Sequence, residues 1–183
     1  MKRLMGLLLA LLLLVFAALL VGCEGNAPAA TDSESSTDDG AGEAQKSKAP
    51  DFTVTDGDGR AVTLSSYFGK PIVLNFWASW CGPCKMEMPD FQETFEARGE
   101  EVQFLMVNLT TGRETLTTAK QHIATCGYTL PVLFDTSAEA ASVYRVSSIP
   151  TTYFIDAEGY LVAQATGMID AETLGRGIDM ICE

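Results

Sequence analysis

Positive charge and histidine are both scarce in this chain. Twelve Lys and Arg stand against 24 Asp and Glu, leaving a net charge of −12 over 183 residues. Nucleic-acid binding needs clustered cations that release counterions from phosphates, and the sequence has no such cluster. With one histidine, His122, and one Cys-x-x-Cys, the chain lacks the four ligands of a structural zinc site, so no metal is expected. Lys85 stands after the second cysteine of that pair where c-type haem attachment requires histidine. A peroxiredoxin would place Thr or Ser three residues before its reactive cysteine. Ala78, Cys81 and Ile123 hold that offset from Cys81, Cys84 and Cys126, which leaves a thiol peroxidase only as the alternative reading.

Large side chains are missing from Glu24 to Pro50, a stretch of Ala, Ser, Thr, Asp, Glu and Gly that cannot bury enough surface to fold. It reads as a flexible linker with a reach of about 30 Å. Before it, Lys2 and Arg3 open an apolar run from Leu4 to Val21, the pattern of an export signal that leaves the remainder outside the cytoplasm. The run ends in Leu20-Val21-Gly22-Cys23, which resembles the bacterial lipobox, with Cys23 as the lipidated residue. An uncleaved apolar anchor is the other reading, since roughly 18 apolar residues can just span a bilayer. The expected organisation is therefore a signal peptide over 1–22, a lipidated cysteine and linker over 23–49, and one folded domain over 50–183. Both readings of the anchor put that domain on the outer face of the cytoplasmic membrane.

From Asp51 onward, strand-like apolar runs alternate with helical stretches and no internal repeat is found, which predicts an α/β domain. Residues 52–55 and 60–63 flank the Asp56-Gly57-Asp58-Gly59 turn as a hairpin. Strands are expected at 72–78, 102–109, 132–134, 152–156 and 160–165. A helical turn is expected at 65–68 and helices at 83–97, 114–124, 138–144 and 171–181.

The chemistry lies in Cys81-Gly82-Pro83-Cys84, between the first buried strand and the first long helix. Disulfide exchange needs an attacking thiolate and a second thiol close enough to resolve the mixed disulfide. At a helix start, unpaired backbone N–H groups and the helix dipole favour the thiolate of Cys81, so Cys81 is the expected nucleophile and Cys84 the resolver. Pro83 suits the first helical turn, where its missing N–H costs nothing, and Gly82 leaves room for an incoming chain. Trp80 is expected to cover the disulfide as an apolar docking lid, and Trp77 to pack in the core. His122 is expected on the surface. Cys126 and Cys182 remain, open to a second disulfide, to buried free thiols or to an intermolecular bridge.

The segment from Leu74 to Pro89, LNFWASWCGPCKMEMP, resembles the active-site region of the ResA/TlpA branch of thioredoxin-like proteins, of the AhpC/TSA-redoxin type. Ile149-Pro150-Thr151-Thr152-Tyr153-Phe154-Ile155-Asp156 is similar to the family's cis-proline loop and the strand after it. The resemblance runs from about Ala49 to Glu183. It implies a thioredoxin-like fold, a central mixed sheet flanked by helices, with an N-terminal hairpin and an insertion around Asn108 to Leu133. It also implies that Pro150 is cis and faces the cysteines, with Ile149 offering backbone to a substrate. Typical thioredoxins carry a buried Asp six residues before the first cysteine. Asn75 stands there, and the resemblance points instead to Glu87, one helical turn beyond Cys84, as base for the resolving thiol.

The implied function is reduction of disulfides in exported proteins, apocytochrome c or other thiol proteins such as methionine sulfoxide reductases. The redox-active disulfide needs no further cofactor, and a membrane donor of the CcdA/DsbD kind is the implied source of electrons. A monomer held at the membrane by its lipid is expected. A non-catalytic module that binds a client or copper is the second class. The presence of Cys81, Cys84 and Pro150 together argues against it, and lone His122 offers copper little.

Overall fold

A computed structural model describes residues 47–183. The signal segment, Cys23 and nearly all of the linker lie outside the described residues. Eight strands form one mixed sheet: β1 (Ser47–Lys48), β2 (Thr53–Thr55), β3 (Ala61–Thr63), β4 (Ile72–Trp77), β5 (Gln103–Asn108), β6 (Val132–Phe134), β7 (Thr151–Ile155) and β8 (Tyr160–Thr166). Their spatial order is β1-β8-β7-β4-β5-β6-β2-β3. The helices are α1 (Gly82–Arg98), α2 (Leu116–Cys126), α3 (Glu139–Val143) and α4 (Ala171–Ile181), with a 3-10 turn over Leu64–Tyr67.

The central strands are apolar because both their faces are covered. On one face Val73, Trp77, Phe104 and Met106 pack under Met88 and Phe91 of α1 and Leu174, Ile178 and Ile181 of α4. On the other, Ile72, Leu74, Phe76, Leu105 and Val107 pack with Phe52, Leu64, Ala140, Tyr144 and Tyr153. β4 is parallel to β5 and antiparallel to β7, with Phe76 opposite Thr151. That register decides where the site forms. It brings the end of β4, which leads into Cys81, beside the start of β7, which follows Pro150.

The expected elements are present with ends shifted by one or two residues, and local chemistry explains the shifts. α2 runs to Cys126 because Thr115 and Thr118 form a reciprocal cap at its start and Gly127, at φ 71°, closes it in the left-handed conformation. The insertion supplies α2 and β6, and β6 joins the main sheet alongside β5. One boundary needs correction. The sequence reading ended the linker at residue 49, yet Ser47 and Lys48 pair with Leu161 and Tyr160, Ala49 N donates to Gly159 O at 2.9 Å, and Ala49 is buried. Ser and Lys carry no strand signal of their own; β8 supplies the template.

α4 lies close enough to β7 that a Cβ added at Gly177 would sit 2.2 Å from the Phe154 ring, while one at Gly175 would meet nothing within 4 Å. Gly177→Ala is therefore expected to destabilise the fold by about 1–3 kcal/mol through overpacking. Gly175→Ala should stabilise it by up to about 1 kcal/mol through helix propensity. Urea midpoints of the two variants check the pair, and equal shifts of one sign would contradict this packing.

Candidate functional site

Cys81 caps α1 and is joined to Cys84 by a disulfide. Cys84 N donates to Cys81 Sγ at 3.2 Å, so the open N–H groups of the helix are already aimed at the sulfur that would carry charge after reduction. Cys84 is fully buried and Cys81 nearly so, while Gly82 and Pro83 are exposed. The access side is thus the spacer and the rim around Cys81. The Ile149–Pro150 bond is cis, and Ile149 O lies 3.7 Å from Cys81 Sγ. The loop named in the sequence reading therefore faces the cysteines.

Beneath them, Glu87 is 1% exposed. Asn75 Nδ2 donates to Glu87 Oε1 at 2.9 Å, and Ile169 N donates to Oε2 at 3.1 Å. Burial pushes this carboxyl up to about 7; the two hydrogen bonds pull it down in part, and the charge of Asp90 adds to the rise. Asn75 Nδ2 also donates to Thr152 Oγ1 at 3.0 Å. Its Oδ1 is buried with no partner among the described residues. That oxygen is suited to accept from Glu87 once the carboxyl holds a proton and the amide turns over.

The loop ahead of Cys81 is held from the insertion. Ser79 donates twice to Glu114, from its backbone N to Oε2 at 2.5 Å and from Oγ to Oε1 at 2.9 Å, and Thr118 Oγ1 also donates to Oε1. Burial pushes the Glu114 carboxyl up, but the hydrogen bonds from Thr118 and Ser79 outweigh it and hold the group below its usual range. Glu114 escaped the sequence reading because its partner lies 35 residues away. Its only local signal was a carboxylate beside a helix start.

Trp80 is 45% exposed. It shares a groove of about 380 Å³ with Leu109, Val146, Ser147, Ser148 and Ile149, and the guanidinium of Arg113 stands 4.0 Å over its ring. Met86 and Met168 are also exposed, on the segments that carry the cysteines and Ile169. The exposed surface beside the cysteines thus mixes apolar side chains with the Arg113 guanidinium and Lys85.

Of the arrangements left open for Cys126 and Cys182, neither the bond between them nor buried thiols is present: both are free and exposed. α1 lies between the helices that end in them: its Gln92 bonds to Thr129 just beyond α2, and its Arg98 bonds to Asp179 of α4. His122, expected on the surface, is half-buried, with its ring 5.9 Å from that of Trp77 and 6.2 Å from that of Tyr128. Desolvation, with the charge of Lys85 second, lowers its pKa, and Glu114 opposes the shift. Among the described residues no three His, Cys, Asp or Glu side chains are grouped to hold a metal ion.

The model of the AhpC/TSA family matches residues 46–164. The thiol-disulfide oxidoreductase ResA of Geobacillus kaustophilus is 36% identical over 136 residues, 74% of this chain and 76% of that protein. Among solved structures, the pneumococcal exposed lipoprotein thioredoxin Etrx1 of Streptococcus pneumoniae matches at 34% identity with a TM-score of 0.63, over 71% of this chain and 98% of the other. StoA of Bacillus subtilis matches at 27% identity with a TM-score of 0.62, over 70% and 96%.

Proposed function

Since the chain belongs to the AhpC/TSA family and is a thiol-disulfide oxidoreductase with a thioredoxin-like fold, we propose that it reduces disulfides in exported proteins from the outer face of the cytoplasmic membrane. The observation that carries the reading is the Cys81–Cys84 disulfide at the head of α1, beside the Ile149 carbonyl and above the buried Glu87.

In the reaction, the Cys81 thiolate attacks one sulfur of a client disulfide, forming the mixed disulfide and releasing the client's first thiolate. Glu87 accepts the Cys84 proton. The Cys84 thiolate then attacks Cys81 Sγ, which restores the Cys81–Cys84 bond and releases the client's second thiolate. Two electrons pass to the client, and a membrane dithiol donor of the CcdA/DsbD kind returns them. Ile149 and Pro150 hold the client backbone, and Trp80, Gly82 and Pro83 form the surface it meets. No cofactor enters beyond the disulfide itself. Apocytochrome c and methionine sulfoxide reductases are the client classes. The chain works as a monomer, cleaved after residue 22, lipidated at Cys23 and tethered ahead of the domain; the lipoprotein thioredoxin among its relatives supports that anchor.

Gly-Pro between the cysteines favours the reducing direction. Titrating the Cys81–Cys84 couple against reduced and oxidised glutathione tests the reading. A reversible two-electron couple with a midpoint more negative than about −200 mV is expected. A midpoint near that of strong oxidants would reverse the direction, and no reversible couple would remove the function.

A further inference from the structure

The five arginines among the described residues divide into two groups. Arg60, Arg98 and Arg176 are each tied to carboxylates, at 2.5 Å to Asp58, 2.7 Å to Asp179 and 2.5 Å to Glu172. Arg113 and Arg145 are exposed and form no ion pair among the described residues. Arg113 borders the groove of Trp80 and Ile149, standing over the Trp80 ring, and Arg145 is the residue before Val146 of its lining. In a chain of net charge −12, carboxylates are plentiful enough to pair any surface cation. The nearest in sequence to Arg113 is Glu114, and its carboxylate is turned inward onto Ser79 and Thr118. The four described lysines, Lys48, Lys70, Lys85 and Lys120, also form no ion pair among the described residues, and of these Lys85 is exposed directly after Cys84.

We propose that this groove selects client segments in which the reactive cysteine is flanked by an apolar side chain and an acidic one. The apolar residue packs against Trp80, Leu109 and Ile149, and the carboxylate meets Arg113. The inference rests on the oxidoreductase reading and adds the chemistry of the client to it. The chain's overall negative charge works against acidic partners at a distance. Charges farther apart than a Debye length of about 8 Å at physiological salt are largely screened, whereas a carboxylate seated in the groove would lie inside that range of Arg113. Cation–π stacking leaves the guanidinium's N–H edge free to bind a carboxylate while its face covers the indole. Arg113 would therefore act as both lid and reader.

The test uses the full reduced protein and three short peptides. Each carries Leu-Cys followed by Glu, Gln or Lys, with the cysteine capped as the thionitrobenzoate mixed disulfide. For each variant, kcat/KM is divided by its rate with hydroxyethyl disulfide, which is small and uncharged. The expected order is Glu over Gln over Lys, with about 5-fold separating neighbours, as for one exposed ion pair of about 1 kcal/mol. Half-molar salt should compress the order. Arg113→Glu should invert it, and Arg113→Lys should retain part of it. The same order in Arg113→Glu as in the native protein, or a native preference for the Lys peptide, would overturn the proposal. If the native protein fails to reduce hydroxyethyl disulfide, the reducing direction is what has failed. The order is then read in the other direction, from the rates at which the uncapped single-thiol peptides of the same three sequences open the oxidised Cys81–Cys84 disulfide.

Discussion

Glu87→Gln is expected to slow resolution of the mixed disulfide by about 100-fold at pH 7, the lower end of what a positioned general base supplies. In the native protein that step should accelerate as pH rises through about 7, where the buried carboxyl gives up its proton. In the variant no buried carboxylate takes the Cys84 proton, so hydroxide from solvent has to. The rise is therefore displaced to alkaline pH. Single-turnover kinetics across pH 5.5 to 9.5 measure it, and superimposable profiles would rule Glu87 out as the base.

The same substitution carries a stability signature of opposite sign to its kinetic one. Below about pH 4.5 the Glu87 carboxyl is protonated in both folded and unfolded chains. As pH rises the unfolded chain ionises first while the folded protein keeps its proton to about 7, so stability falls across that window and levels off above it. The loss is about 3 kcal/mol at pH 8. Glu87→Gln should lack this slope, so the oxidised variant should be the more stable protein at pH 8 and lose that advantage by pH 5. A residue with a purely structural role would not give slower exchange together with a more stable fold. Urea unfolding at the two pH values separates the possibilities.

The second large effect concerns the order of events at the cysteines. Cys81→Ser should lose at least about a thousand-fold in disulfide reduction, as removal of a nucleophile does elsewhere. Cys84→Ser should still attack but stall as a mixed disulfide, visible by mass as one covalent adduct per chain. Cys81 at the cap of α1, beside the exposed Gly82 and Pro83, and Cys84 fully buried behind it set this asymmetry. An adduct that accumulates on Cys84 in the Cys81→Ser protein, with none in the other, would reverse the roles.

The parts of this site that were legible in the sequence are those whose signal is local. Ile72–Trp77 is a continuous apolar run, and Cys81-Gly82-Pro83-Cys84 begins a helix on its own terms. Glu87 could be named because the family resemblance pointed to it and helical spacing sets it one turn beyond Cys84. What it touches could not: Asn75 lies across the sheet from Thr152, and Ile169 arrives from 82 residues away. Such partners are chosen by strand register and helix packing, which leave no trace at single positions. The pairing of Cys126 and Cys182 stayed open for the same reason, since only the placement of α1 between their helices decides that they stay apart. β1 was missed because its polar residues become a strand only through what they lie against.

That short strand has a protective consequence. β8 runs through Tyr160–Thr166 without a charged residue or a proline, and its outer side is an edge whose unpaired N–H and C=O groups could template another chain. Ser47 and Lys48 occupy the Tyr160–Leu161 end of that edge. Lys48 adds a charge there, with Nζ bonded to Glu158 O at 2.5 Å and 4.1 Å from the centroid of the Tyr160 ring. A chain begun at residue 50 would keep every catalytic group and still lose this cover. Its failure would be aggregation, with no loss of chemistry to give warning.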